Sequence, residues 1–138
     1  MKRKIIQLGY VTPDIDKALG YWTGIVGAGP FYCADFEPEQ QTHRGKPTRI
    51  KFRVAYAFTG DIHIELVQQL EGGGSAYTEA LEARSSIPQA GIFHHVLLKH
   101  DGYDKTYNDI IKGGAVPAYE AFVPGVGRFC YLAAHDQA

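Results

Sequence analysis

Two adjacent histidines, His94 and His95, stand in the segment "GIFHHVLLKHD" (91–101), which otherwise has the apolar composition of a strand. Successive side chains of a strand point to opposite faces, so only one of the two is predicted to face a given side of a sheet. A histidine that faces a cavity can bind a metal ion or act as an acid or base near neutral pH. The residue types alone leave open whether either histidine does so or is an ordinary polar side chain.

A second segment, "DIHIELVQQ" (61–69), places a carboxylate in the middle of an apolar strand. Its isoleucines and Leu66 alternate with His63 and Glu65, so these two polar residues are predicted to share the opposite face. A buried carboxylate is costly without a partner, and a metal ion is one partner that satisfies it. Glu65 is therefore a candidate ligand, unless this face lies in water. His63 is a candidate acid or base, or a polar residue of a cavity wall.

The composition narrows the class of protein. With 138 residues, 45% hydrophobic and 21% charged, the chain is predicted to form one domain, 1–138, with a substantial core. The formal net charge of −1 gives no overall basic field for nucleic acid or anionic lipid. No apolar stretch is long enough to span a membrane and no signal segment stands at the amino end, so we expect a cytoplasmic protein. Cys33 and Cys130 are expected to be free thiols.

Strand and helix signals occur twice in the same order. In each half a strand is followed by a helix and then by further strands, and a connector helix, 75–85, with Ser75 as its cap, separates the halves. The segment 37–47 is predicted to be a polar loop. The predicted strands are "RKIIQLGYVT", "GPFYCADF", the hairpin "TRIKFRVAYAF" and "IHIELVQQ", then "GIFHHVLLKHD", "AVPAYEAF" and "GRFCYLAAHD".

The two halves can be aligned. Setting Gln7 opposite His95 brings "DIDKA" opposite "GYDKT", and at a further offset "RVAYAF" meets "RFCYLA". We therefore predict an α+β fold of two βαβββ repeats, about 3–70 and about 91–138, forming an open, curved sheet around a cavity. The same alignment places Gln7 and His95 on one face and favours His95 over His94 as the residue that faces the cavity.

The segments "QLGYVTPDIDKALGYW", "GAGPFY", "IHIELVQ" and "HHVLLKHDGYDK" resemble the vicinal oxygen chelate superfamily, which includes glyoxalase I, methylmalonyl-CoA epimerase, extradiol dioxygenases and bleomycin-resistance proteins. The resemblance covers nearly the whole chain and is greatest to the glyoxalase-like branch with methylmalonyl-CoA epimerase-like proteins. It implies that each repeat forms half of an open barrel, with a divalent metal ion between the halves. By the same resemblance the metal ligands are Gln7, Glu65 and His95.

The implied ligand set favours some metals and reactions over others. Two oxygens and one nitrogen suit an ion that acts as a Lewis acid on a carbonyl, so zinc, nickel, cobalt, manganese and magnesium all remain open. Glutamine stands where an iron dioxygenase has its first histidine, which argues against that reaction. The implied chemistry is that of an isomerase, epimerase or lyase, in which a base removes a proton next to a carbonyl or thioester.

Several residues are candidates for the other roles. The base could be Glu65, His63, or a carboxylate of the polar loop, Glu37 or Glu39. Four residues pair in the repeat alignment and are candidates for substrate contact, with ordinary core or surface packing as the alternative: Tyr56, Tyr131, Arg53 and Arg128.

Two other functions remain open: a metal-free small-molecule binding or drug-sequestering protein, and a domain that serves only assembly or regulation. The expected partners are a small-molecule substrate and a second copy in a homodimer, without nucleic acid or membrane. In the repeat alignment the counterpart of Glu65 falls beyond Ala138. We therefore expect seven barrel strands instead of eight, with "AAHDQA" leading towards a missing strand and with a metal position open to water, a buffer ion or a partner chain.

Overall fold

The computed structural model describes residues 2–133, which form two β-sheets and three α-helices. A π-helical segment, Trp22–Val26, continues the first helix. The elements are β1 Ile5–Val11, α1 Ile15–Tyr21, β2 Tyr32–Phe36, β3 Glu39–His43, β4 Lys46–Pro47, β5 Ile50–Thr59, β6 Ile62–Gly72, α2 Ala76–Glu82, β7 Ile92–Leu98, α3 Tyr103–Lys112, β8 Pro117–Val123 and β9 Gly127–Leu132.

The strands are divided between a five-stranded sheet 1, in the order β2-β5-β6-β1-β7, and a four-stranded sheet 2, in the order β4-β3-β8-β9. In sheet 1, β1 runs parallel to β6 and antiparallel to β7, so the first strands of the two halves are neighbours. The predicted α+β class with curved, open sheets is confirmed. Within residues 2–133, β7 and β9 belong to different sheets and no strand joins them.

The segment predicted as a polar loop is instead partly β-structure, and that prediction was wrong. It forms β3 and β4, and β3 pairs antiparallel with β8. Gln41 explains part of this order because it is only 6% exposed and accepts hydrogen bonds from the backbone N–H of Ile50 and the hydroxyl of Tyr119. A buried amide with partners on both sheets holds the polar segment in place.

Helix α1 covers the outer face of sheet 1. Asp14 caps its first turn by accepting a hydrogen bond from the backbone N–H of Lys17. Ile15, Ala18 and Trp22 are buried against this face, and the π-helical segment ends at Gly27 in the left-handed conformation. The outer face is therefore closed by apolar packing.

Helix α2 packs against the inner face of sheet 1. Ser75 caps it by accepting hydrogen bonds from the backbone N–H groups of Tyr77 and Thr78, which confirms its predicted role. Tyr77 is 1% exposed and packs against Phe52 of sheet 1 and Tyr119 of sheet 2, with ring centroids 5.4 and 6.1 Å away. The ring thus joins the two sheets in one inner core.

Residues 134–138, predicted to lead towards a further strand, lie outside the described residues. No helix in the described part of the chain is long and apolar enough to cross a membrane.

Replacing Tyr77 should test how much the two sheets depend on this ring. We expect Tyr77→Ala to lower the free energy of unfolding by about 3–5 kcal/mol, because it leaves a cavity between the sheets. Tyr77→Phe keeps the ring and loses the hydrogen bond that Tyr77 donates to the Tyr131 hydroxyl, so its cost should be about 1 kcal/mol. Urea unfolding measures both, and equally small losses would contradict the packing described.

Candidate functional site

The inner face of sheet 1 brings together the polar residues singled out by the sequence. Residue pairing places Gln7 beside His63, and Gly9 beside both Glu65 and His95. All of these positions lie on the face that carries the core residues Val11 and Val67, because they alternate with them along β1 and β6. Three adjacent strands therefore supply one polar cluster.

Glu65 and His95 are in direct contact. The Nε2 atom of His95 lies 3.1 Å from a carboxylate oxygen of Glu65, and the two side chains are only 12% and 19% exposed. Gly9 makes this contact possible, since a Cβ atom there would stand 2.1 Å from Cε1 of the His95 ring. A side chain at position 9 would push the imidazole off the sheet.

His94 also lies on the inner side, so the prediction that it points away was wrong. The β1–β7 ladder pairs Gly9 with His95 and Tyr10 with Phe93, which leaves His94 as the extra residue of a β-bulge. Its ring packs against Tyr131, with the ring centroids 5.4 Å apart. Burial and the neighbouring His95 lower the pKa of His94 from 6.5 to about 4, so this ring is neutral at pH 7.

The two histidines and Glu65 form a hydrogen-bonded chain. The Nδ1 atoms of His94 and His95 are 2.8 Å apart, and Nε2 of His94 lies 3.1 Å from the carbonyl oxygen of Ala76, which can only accept. The neutral His94 therefore donates from Nε2 to this carbonyl oxygen, and its Nδ1 atom accepts a hydrogen bond from Nδ1 of His95.

Gln7 and His63 complete the cluster. Gln7 is 6% exposed. Nδ1 of His63 is buried and has no hydrogen-bond partner in the described part of the molecule, while its ring lies 5.5 Å from that of Phe58. A buried nitrogen without a partner is uncommon in folded proteins and costs free energy unless a ligand or water satisfies it.

The two tyrosines predicted to face the cavity flank this cluster. Tyr56 is paired with Glu65 across β5 and β6, and the ring of Tyr131 lies 4.7 Å from that of His95. Burial and the nearby carboxylate of Glu65 raise the pKa of the Tyr131 hydroxyl well above its usual value, so this group stays protonated.

The two arginines predicted to contact substrate do not join the cluster. Arg53 alternates with inner-face residues of β5 and is paired on the other side with Asp35, 2.7 Å away. Arg128 bonds to Asp104 and lies over the Tyr103 ring at 4.8 Å, on the α3 side of β9. In both cases strand alternation turns the guanidinium away from Glu65.

The two carboxylates of the predicted polar loop are also placed elsewhere. Glu37 is paired with Arg49, and Glu39 is exposed at the start of β3. Both line a small depression with Gln41 and Thr48, to which neither Glu65 nor His95 contributes. Of the four bases considered, the structure therefore brings only Glu65 and His63 to the polar cluster.

The donor set of the cluster fits a divalent ion by chemistry. Glu65, His95 and Gln7 offer a carboxylate, an imidazole and an amide oxygen from neighbouring strands, and Gln7 is paired along its strand with His63, whose Nδ1 atom has no partner in the described residues. In residues 2–133 no group of three or more His, Cys, Asp or Glu side chains is arranged to hold a metal ion. Glutamine at position 7 is therefore needed to complete a set of three.

A groove of about 690 Å³ lies on the other side of the histidine pair, between β7 and β9. Helices α2 and α3 border it, and α3 has no buried residue although its sequence is amphipathic. His94, His95 and Tyr131 form part of its wall, so the groove reaches the hydrogen-bonded chain from the side away from Tyr56.

Gly9→Ala tests the close approach of the His95 ring. We expect it to lower the free energy of unfolding by about 1–3 kcal/mol and to separate His95 from Glu65. The matched control is Gly20→Ala in α1, where a Cβ atom meets nothing within 4 Å and which should be neutral or stabilising by up to about 1 kcal/mol. Thermal and urea unfolding compare the two, and equal effects would contradict the packing of His95 on Gly9.

Comparisons with known proteins agree with this architecture. A hypothetical protein from Bacillus halodurans C-125 has a similar fold, with a TM-score of 0.55 and 15% identity over 100% of this chain and 99% of that one. No curated protein matches the sequence. The family model described as the glyoxalase/bleomycin resistance/dioxygenase superfamily matches residues 6–131. The chain therefore belongs to the glyoxalase/bleomycin resistance/dioxygenase superfamily, as the resemblance of its motifs implies.

Proposed function

We propose that the protein is a metal-dependent isomerase, epimerase or lyase that removes a proton from a carbon next to a carbonyl or thioester. The observation that carries the proposal is the contact of Glu65 with His95 on the inner face, beside Gln7 and the unpartnered nitrogen of His63. Membership of the superfamily supports the same class of chemistry, because many of its members use a divalent ion.

Gln7, Glu65 and His95 are the residues that would hold the ion. A bound divalent ion supplies Lewis-acid chemistry, which withdraws electron density from the carbonyl oxygen of a substrate and makes the neighbouring C–H bond more acidic. Zinc, nickel, cobalt, manganese and magnesium each accept a set of two oxygens and one nitrogen.

The chain itself supplies the proton transfer. A carboxylate oxygen of Glu65 takes the proton from carbon, the electrons of the C–H bond move towards the carbonyl to form an enolate, and the proton then returns to carbon. His63, on the same face, has a buried Nδ1 atom without a hydrogen-bond partner in the described residues, which is available to a bound substrate. The tyrosine rings on either side of Glu65 limit the access of water, which strengthens the electrostatic interactions of the carboxylate.

Metal binding tests the ligand assignment without an activity assay. Because an ion that binds only the native state stabilises it by mass action, a saturating ion at 100 times its Kd should raise the free energy of unfolding by about 2.7 kcal/mol. Glu65→Gln and His95→Ala should each remove most of this increment. The controls are Glu71→Gln, an exposed glutamate of the same strand, and His100→Ala, an exposed histidine, which should keep it. Titration calorimetry and thermal unfolding measure the effect.

A metal-free binding protein is the second candidate, and the groove of about 690 Å³ favours it because this volume suits a drug-sized ligand. The same titration separates the two functions. If the wild-type protein gains no stability from any of the five ions while a ligand binds between β7 and β9, the enzyme proposal fails and the binding protein is supported.

We also propose a homodimer that forms through the edge of sheet 1. In the described residues β7 pairs on one side only, with β1, and Val96 and Leu97 on it are 39% and 41% exposed. An open strand edge is a template for association, and antiparallel pairing of β7 with its copy satisfies two-fold symmetry.

A charge on this edge should weaken the dimer. We expect Val96→Lys to raise the dissociation constant at least about tenfold, whereas Ile25→Lys, at a residue that is 73% exposed far from β7 in the chain, should leave it unchanged. Sedimentation equilibrium measures both. A wild-type protein that stays monomeric at about 100 µM would refute the homodimer.

A further inference from the structure

The inner face of sheet 1 continues past Glu65 as a row of aromatic side chains. Tyr32 lies directly opposite Tyr56 on β2 and β5, so both rings share one face, and their centroids are 6.0 Å apart. Phe58 follows at 5.8 Å from Tyr56. We call Tyr32, Tyr56 and Phe58 the aromatic row. One end of it is next to His63, and its central ring is paired with Glu65.

The described chain leaves much of the aromatic row exposed. Tyr32 and Phe58 are 57% and 62% exposed, whereas Phe52, further along the same face of β5, is 4% exposed beneath Tyr77. A contiguous group of exposed rings is unusual on a protein surface and is typical of a binding site. Its place beside the polar cluster indicates that the bound molecule is the one on which Glu65 acts.

The charges on this face restrict what can bind. Within residues 2–133, the inner-face positions of β1, β2, β5 and β6 around the row carry no lysine or arginine, and their ionisable groups are Glu65 and His63 with the row's tyrosines. Arg53, the nearest guanidinium in β5, lies on the outer face with Asp35. In the protein without a bound ion, an anionic ligand would meet the carboxylate of Glu65 without a compensating cation.

From these observations we propose that the aromatic row binds the flat, uncharged aryl part of a carbonyl substrate and holds its acidic C–H bond next to Glu65. The inference rests on the proposed function and specifies its substrate class. Contacts between aromatic rings strengthen binding by about three- to tenfold beyond the effect of the area that they bury, so two exposed rings can select an aryl group over an alkyl group. The short distance between paired residues on neighbouring strands, about 5 Å, suits a carbonyl one or two bonds from the ring.

Binding of three probes to the 138-residue chain, in buffer that contains a chelator, tests the inference. Phenylacetone is the neutral aryl ketone, 2-butanone lacks the ring, and phenylpyruvate adds a carboxylate. We expect phenylacetone to bind at least about threefold more tightly than the other two, as measured by NMR titration. Phe58→Ala and Tyr32→Ala should each weaken it by about three- to tenfold. Phe93→Ala is the matched control, because Phe93 is 54% exposed but packs against Tyr10 on the outer side of the sheet.

The outcomes separate this inference from the proposed function. If the row binds phenylacetone but no ion stabilises the protein, the aryl site stands and the metal-dependent reaction fails. If the ion binds at Glu65 but phenylpyruvate or butanone binds as well as phenylacetone, or Phe93→Ala has the same effect as Phe58→Ala, the aryl site is refuted. If Phe58→Ala makes a dimer dissociate, the aromatic row contacts a second copy of the chain, and this result would also refute the aryl site.

Discussion

The packing of Tyr77 between the two sheets determines where this molecule is closed and where it is open. Because the ring fills the space against Phe52 and Tyr119, the inner face of sheet 1 is covered at that end. The inner face at Tyr32 and Phe58 is covered much less. A single buried ring on a short helix thus divides one continuous face into a core and a candidate site.

The polar cluster depends on the same arrangement. Three strands place Gln7, Glu65 and His95 on one face of sheet 1, and the absence of a side chain at Gly9 lets the imidazole lie flat enough to reach the carboxylate. The bulge at His94 adds a second ring behind the first, and burial keeps that ring neutral. The inner core and the polar cluster are therefore formed by neighbouring residues of sheet 1.

Much of the fold and of the polar cluster could be predicted from the sequence, because the alternation of side chains along a strand is a local property. It placed Glu65 and His63 on the same face of their strand, and the repeat alignment placed Gln7 and His95 on one face of the sheet. The bulge at His94 could not be predicted, since it results from how β7 pairs with a distant strand. The outward position of Arg53 follows from the same alternation, read from Phe52 and Val54 in the core. The connector helix and its cap, Ser75, were predicted, but the burial of Tyr77 between the two sheets was not, since it depends on partners far away in the sequence.

The central claim is that Glu65 removes a proton from carbon next to a carbonyl. The most direct measurement is NMR detection of deuterium incorporation at that carbon in D₂O, with the ion-loaded protein and a panel of aryl ketones, 2-oxo hemithioacetals and branched acyl thioesters. We expect the wild-type protein to exchange deuterium into at least one of these compounds, and Glu65→Gln to lower the exchange rate by at least about a hundredfold, because it removes a general base. Exchange that persists at the wild-type rate in Glu65→Gln, or none with any compound of the panel, would contradict it.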